Sequence, residues 1–584
     1  RRAASSTSAQ RRARSRALRP FARDAAARAR EIPVLDFTLT FTYCNVIHME
    51  GKAGDGRAPE PTPPAASLAE WAPRFNPWLI AVSVMLATFM EVLDTAVANV
   101  SLPHIAGSLS ATPEEATWVL TSYLVSNAIV LPMTAWLGSQ FGRKRFLVTC
   151  IVVFTLASAL CGAATSLGML VVARILQGAG GGALQPIAQA VLMESFPPAR
   201  RGTAMAAFAM GVIVAPILGP TLGGWITDNY SWRWVFYINL PVGALAILMV
   251  QAFIEDPPYI QAARQRRVDY LGFGFMVVFL GMLQLVLDKG QEVDWFAAPW
   301  VRWCTLLSAA GFVAFVVREL TTDAPIVNLR VLANRNFAIG TTLITALGVV
   351  IYGTTALLPL FLQTLMGYPA LQSGLAVSPR GLGALTASII VGRLIGRVDS
   401  RILIATGFGV TAGSALIYSR MNLDIAQRNV VWTSLMNGFA GPLMFVPLTT
   451  TAMGTLTRQQ MGQGTGIFNL MRNIGASVGI ATVTTLLTRG TQAHQARLVV
   501  HLTPYDPEYQ RWLEDARAHL APQVGSAAAG PAALGLLYRT LVRQATLLSF
   551  LDTFRLLSFL AMMCVPLVLL FRRVRTRPTP VVVE

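Results

Sequence analysis

The chain has 584 residues, of which 54% are hydrophobic and 13% charged, with a mean hydropathy of +0.52. A soluble domain carries about 25% charged residues, so the charges here are too few to coat the domains a soluble chain of this length would form, and the chain is too apolar for disorder. What remains is a polytopic membrane protein, and about 315 apolar residues supply at most about fifteen helices at ~20 residues per span. The net charge of +18 would suggest nucleic acid on a soluble protein; on a membrane protein its position along the chain decides its meaning.

Residues 1–48 hold ten Arg against Asp24, Glu31 and Asp36, a net charge of +7. They contain no apolar core of a secretory signal. Residue 1 is Arg and the first Met is Met49. Three readings stay open: sequence upstream of a true start at Met49, a disordered basic tail, or an organellar transit peptide. Residues 51–76 read as a Pro/Ala linker, so 1–76 is set apart from the membrane domain.

Apolar windows of membrane length follow at 78–99, 117–138, 146–165, 168–193, 202–226, 234–254, 269–287, 299–317, 336–363, 372–395, 402–418, 428–452, 464–487 and 547–571. These are spans 1 to 14. Basic residues gather after the even-numbered spans: Arg143, Lys144 and Arg145; Arg200 and Arg201; Arg264, Arg266 and Arg267; Arg318, Arg330 and Arg335; Arg393, Arg397 and Arg401; Arg458; Arg572, Arg573, Arg575 and Arg577. Residues 100–116 carry Glu114 and Glu115 and no Lys or Arg. The positive-inside rule therefore expects both termini and the even loops in the cytoplasm. Much of the charge is a topology signal, and no nucleic-acid partner is expected.

Charges inside spans are functional candidates by default. Span 1 carries Glu91 and Asp94 at i,i+3, on one helix face. Two acids on one face point to a bundle interior or aqueous cavity, where a carboxylate can bind a proton. Span 4 carries Arg174, Gln177 and Gly178 at i, i+3, i+4, and Gly178 with Gly182 forms a GxxxG pair. The buried Arg calls for an anion, and the span 1 acids are candidates. Span 5 carries two small-residue ladders, Gly211, Ala215, Gly219 and Gly223 beside Pro216 and Pro220. Close packing with missing backbone donors suits a helix that rocks between states. The turn after span 2 holds Gly142, Arg143 and Lys144, and GRLIGRVDSR (392–401) echoes it in the second half. That echo suggests two parallel halves related by an axis along the membrane normal.

Residues 488–546 interrupt the rhythm of spans and fall outside the cytoplasm by the alternation. Residues 506–520 look helical, a Gly/Ala/Pro break follows, and 533–545 resumes as an amphipathic lead-in. Span 13 carries Asn469, Arg472 and Asn473 on one face, and span 14 carries Asp552 with Arg555 at i,i+3, a spacing that allows a local pair; Asn469, Arg472, Asn473 and Asp552 form a candidate second-half polar site. Cys150, Cys161, Cys304 and Cys564 lie in apolar stretches, Cys44 lies in the tail, and the five His form no ligand set, so no metal site or cofactor is expected.

These blocks resemble the major facilitator superfamily, specifically its fourteen-helix drug:proton antiporters of the EmrB/QacA type, over about residues 75–575. LDTAVANVSLP (93–103) resembles the group's helix-1 signature, with Asp94 at its acidic position. ARILQGAGGG (173–182) is similar to the helix-4 motif, with Arg174 at the Arg implicated in proton transfer, and GVIVAPILGPTLGG (211–224) to the antiporter motif of helix 5. WRWVFYINLP (232–241) and FNLMRNIGASVGIA (468–481) add subfamily-level matches. The cytoplasmic loop departs from the family: Ala135, Ser139 and Gln140 replace a Gly, an Asp and an Arg, while Gly142, Arg143 and Lys144 remain.

The resemblance implies an all-α fold: a six-helix bundle at 77–255, an inserted helix pair and linker at 256–335, a second bundle at 336–575 that includes the 488–546 segment, and a cytoplasmic tail at 576–584. It implies proton-coupled export of hydrophobic or amphipathic small molecules across a bacterial inner membrane, without covalent chemistry. Glu91, Asp94 and Arg174 would couple protons; Gly142, Arg143, Lys144, Gly178, Pro216, Gly219, Pro220 and Gly223 would serve packing and gating. A periplasmic adaptor with an outer-membrane channel is an implied partner. A proton-coupled nutrient symporter and a receptor-like protein on the same scaffold are the alternatives.

Overall fold

The computed structural model describes residues 73–256, 269–322 and 325–572. The tail with Met49, Arg264, Arg266, Arg267, Arg573, Arg575 and Arg577, and the side chain of Pro220, lie outside the described residues.

The chain folds into helices α1 (Pro77–Ser108), α2 (Trp118–Phe141), α3 (Arg143–Gly162), α4 (Leu167–Ser195), α5 (Pro198–Asn229), α6 (Trp234–Phe253), α7 (Tyr270–Lys289), α8 (Pro299–Thr321), α9 (Arg335–Thr364), α10 (Gln372–Leu394), α11 (Ser400–Tyr418), α12 (Gln427–Met453), α13 (Gln460–Val499), α14 (Pro507–Val524) and α15 (Ser526–Val568). Thirteen of them are long and apolar enough to cross a membrane. With α12 they make the fourteen spans read from the sequence. α12 is less apolar because it carries Thr433, Ser434 and Asn437 into the bundle: Asn437 donates to Ser414 at 3.0 Å and Ser434 meets the Tyr418 hydroxyl at 3.2 Å.

Local sequence sets the helix starts. The Asn76 side chain accepts the Trp78 N–H beside Pro77 at the first position of α1. Ser166 caps α4, and Thr457 with Gln460 forms a capping box before α13. Proline sets the internal irregularities: α2 tightens to a 3-10 turn at Leu131–Met133 around Pro132.

Lipid supplies little hydrophobic drive between helices, so close backbone approach has to hold them. The same device recurs in both halves. A Cβ on Gly178 or Gly182 of α4 would strike the carbonyl oxygens of Tyr123 and Asn127 on α2. A Cβ on Gly383 of α10 or Gly438 of α12 would strike the Leu435 or Arg380 carbonyl of the opposite helix. Gly219 and Gly223 of α5 lie on Ala96 and Val97 of α1, as Gly475 and Gly479 of α13 lie on Thr345 and Val349 of α9. The span 5 ladder is thus a face against α1, while Pro216, on the neighbouring ladder, is exposed. One bundle holds α1–α6 and the other α9–α13 with α15; the pair α7–α8 packs beside them, α7 touching both α2 and α13.

The segment 488–546 is mostly helical, in keeping with the helical reading of 506–520 and 533–545: α13 runs to Val499, turns fill 500–506, α14 spans 507–524, and α15 begins at Ser526. The expected break narrows to Gly525, whose φ of +82° only glycine adopts cheaply. The alanines after it favour helix.

Adjacent α5 glycines give a matched test. Gly223→Val drives side-chain atoms into Val97, whereas a Cβ at Gly224 meets nothing within 4 Å. Gly223→Val should lower stability by about 1–3 kcal/mol and Gly224→Val should stay within ~0.5 kcal/mol of the parent, read from melting of the purified protein in detergent.

Candidate functional site

α1 and α4 cross so that Asp94 meets Arg174, both side chains fully buried. Arg174 Nη1 donates to Asp94 Oδ2 at 2.6 Å. Gln177, one turn along α4, donates to Oδ1 at 2.9 Å, and Asn239 of α6 donates to the same oxygen at 2.6 Å. The guanidinium also donates through Nε to the Val119 carbonyl at 3.0 Å and through Nη1 to Gln177 Oε1 at 2.8 Å. Its carbon stands 4.4 Å from the centroid of the Tyr123 ring, a cation–π contact that needs no further anion. Asn239 is held in turn by Ser158 at 3.0 Å, whose hydroxyl donates to the Phe236 carbonyl at 2.8 Å. Five helices, α1, α2, α3, α4 and α6, therefore converge on one carboxylate. Among the described residues Arg174 Nη2 is buried without a hydrogen-bond partner, so the cluster retains an unused donor beside the ion pair.

Glu91 sits one turn from Asp94 but in a separate setting. Its Oε1 accepts from Asn127 at 3.2 Å and Gln185 at 3.4 Å, and its Oε2 is buried without a partner among the described residues. Gln185 also accepts a hydrogen bond from Arg472 of α13, which lies over the Phe445 ring. One turn further along α4, Gln189 and Asn469 exchange amide hydrogen bonds, Asn469 donating at 2.8 Å. Glu91, Gln185 and Arg472 thus form a chain from one bundle to the other. The seam continues toward the Arg143 loop, where Ala135 faces Gly462 and Pro132 faces Gly466. Ala135, which departs from the family pattern, meets a glycine across this seam. On the other side of the seam Phe208 stacks on Phe445 and Thr203 donates to the Gly392 carbonyl.

The loop residues are tied by acids that the sequence reading did not single out. Arg143 makes a two-pronged ion pair with Glu194 at the end of α4, whose side chain is 2% exposed. The Lys144 backbone N–H donates to Asp256 at 2.7 Å, and its ammonium to the Gln251 carbonyl at 2.6 Å. Gly142 holds a φ of +85° with Asp256 against it. Ser139 turns its hydroxyl to the Trp136 carbonyl of its own helix. Asn473 is half-buried in α13. Asp552 is not brought to the site: it is exposed and pairs with Arg555 and His494, each at 2.9 Å. Asn239, Gln185 and Gln189 are the residues sequence reasoning passed over. Amides at i,i+4 in an apolar span were the available signal for the two glutamines.

Two helical bundles of membrane-length helices, with a buried ion pair in one and a polar seam between them, are the architecture of a membrane transporter. The chain belongs to the Major Facilitator Superfamily, whose pattern matches residues 84–480. It is 36% identical to the fatty acid resistance protein FarB of Neisseria gonorrhoeae, over 84% of this chain and 95% of that protein. It is 36% identical to the multidrug export protein EmrB of Escherichia coli K12, over 74% of this chain and 84% of that one. A solved human organic anion transporter (TETRAN) shares the fold at 13% identity and a TM-score of 0.55, covering 84% of this chain and all of that one. The protein is a multi-pass bacterial membrane protein.

Removing Arg143 strips the guanidinium from a buried carboxylate, the situation in which breaking a pair costs most. Arg143→Ala should lower stability by roughly 2–4 kcal/mol, and adding Glu194→Gln should recover much of it, read from melting in a double-mutant cycle.

Proposed function

We propose that this protein is a proton-coupled antiporter that exports hydrophobic or amphipathic small molecules across the bacterial inner membrane. The observation that carries the reading is the fully buried Asp94–Arg174 pair, held by helices of one bundle. A charge pair sealed from water is expensive to break by halves. Neutral Asp94 no longer balances Arg174, so a proton is retained only in a conformation that moves the two apart or gives Arg174 another acceptor. Unequal proton affinity of two conformations is what couples a gradient to rocking.

Glu91 extends the coupling to the other bundle. Ionised, it draws the Gln185 amide, whose oxygen holds Arg472. Protonated, it loosens that chain, and the seam can part at the basic-loop end. We assign that end, and both termini, to the cytoplasm from the loop charges. Protons from outside then favour opening inward; substrate binding with proton release favours the return. Gly142, Arg143 and Lys144 hold the loop at the end that opens, and the glycine face of α5 lets α1 and α5 slide. Arg472 and Asn469 are the second bundle's share of the seam. The names of the similar export and resistance proteins support the direction of transport. The helical extension of α13, α14 and α15 is the surface we assign to a periplasmic adaptor, with an outer-membrane channel beyond.

Everted vesicles test the reading. Acidifying their interior should drive substrate in; a symporter would not accumulate it, and a receptor would not move it. Asp94→Asn should lose gradient-driven transport by at least about a hundredfold, as expected for a group that carries the coupled proton, while still binding substrate. Full gradient-driven transport by Asp94→Asn would end the proposal. Glu91→Gln should slow transport by about tenfold and shift its pH profile.

A further inference from the structure

The second bundle holds a cation that the proton chemistry leaves unused. α10 breaks after Val377, because Pro379 has no N–H to donate; the Ser378 hydroxyl takes the freed Leu375 carbonyl at 3.0 Å. Arg380 follows at the start of the second segment, where the helix end is itself positive. It lies on the stripe of Ala384, Ala387 and Val391, all buried, and away from Leu382, Ile389 and Ile390, which are exposed. Its guanidinium therefore points into the bundle and not to lipid.

Arg380 Nη1 donates to the Thr355 hydroxyl of α9 at 2.5 Å, its one hydrogen-bond partner among the described residues. The Tyr352 and Tyr418 phenols are near enough to act on it electrostatically. Among the described residues no carboxylate pairs with it. Arg174, by contrast, is spent on Asp94. Arg380 itself is half-buried, and Thr355 and Tyr352 are exposed, so the side chain is not sealed in a packed core. Its backbone is fixed independently of the side chain, since Gly438 of α12 lies directly on the Arg380 carbonyl.

We infer that Arg380 binds the negatively charged head of an amphipathic substrate, a carboxylate, at the α9–α10 wall of the second bundle. The inference rests on the export function proposed above and names the class of cargo. A planar guanidinium with free N–H groups matches a carboxylate in two parallel hydrogen bonds. Thr355 holds the fork from one side, and the exposed Tyr352 offers ring surface to the apolar part of the ligand. Because an internal charge without a counterion is costly, the ligand's own charge completes the site.

Radiolabelled decanoate, with methyl decanoate as uncharged competitor and ethidium as cationic cargo, tests this on the full-length protein. In detergent, Arg380→Ala and Arg380→Gln should weaken decanoate binding by about tenfold or more, the loss of a charge-assisted pair. Arg380→Lys should keep part of it, and the weak competition by the ester should not change. In everted vesicles the same variants should lose decanoate transport and keep ethidium transport. Unchanged decanoate binding by Arg380→Ala would overturn the inference, as would an equal loss of decanoate and ethidium transport, which marks a structural role. So would decanoate binding seen in phosphatidylcholine but erased by added phosphatidylglycerol, which assigns the site to a lipid head group. Failure of proton coupling alone, with Asp94→Asn still fully active, would remove the export mechanism and leave the decanoate result readable.

Discussion

A charge carried into a bilayer has to find its counterion or dipoles inside the protein, because hydrocarbon offers neither. The Asp94–Arg174 contact is where this chain meets that demand most fully. Its 2.6 Å hydrogen bond is surrounded by donors from Gln177 and Asn239 and by the Tyr123 ring. Each of these groups satisfies another, and their helices are held close by glycine contacts such as Gly178 on Tyr123. The ion pair thus dictates the packing of its bundle as much as the packing creates the ion pair.

The two bundles use one packing scheme and diverge in what they do with charge. Glycine faces hold α2 to α4 and α10 to α12, and again α1 to α5 and α9 to α13. In the first bundle Asp94 and Arg174 cancel locally, while Glu91 is held by amides alone. In the second, Arg472 reaches across the seam to Gln185, and Arg380 meets only a hydroxyl among the described residues. This division agrees with a protein in which one half handles protons and the other cargo.

Much of this was legible in the sequence for a simple physical reason. A membrane span must be long and apolar, so its length, its few charges and its flanking arginines all stand out. Fourteen spans, the face shared by Glu91 and Asp94, and the need of Arg174 for an anion follow from spacing alone. Partners far apart in sequence do not. Glu194 and Asp256 sit at helix ends, where acids are ordinary, and only the folded chain brings them to Arg143 and Lys144. Asp552 is of both kinds: its pairing with Arg555 follows from the i,i+3 spacing, while its contact with His494 of α13 does not. The helical filling of 488–546 was half hidden, since alanines around Gly530 and Pro531 read equally as a break or as a continuing helix.

The length of α13 has a mechanical consequence. Its forty residues span about 60 Å at ~1.5 Å per residue, twice the ~30 Å depth of a hydrocarbon core. It also carries Asn469 and Arg472 near its seam end, so it is a single rod with its fulcrum at the polar contacts between bundles. A rod of that kind converts a small change in tilt at the seam into a displacement several times larger at Val499 and the α14 helix beyond. Whatever rests on that far end would register each turnover as a stroke, without any contact of its own to the buried carboxylates.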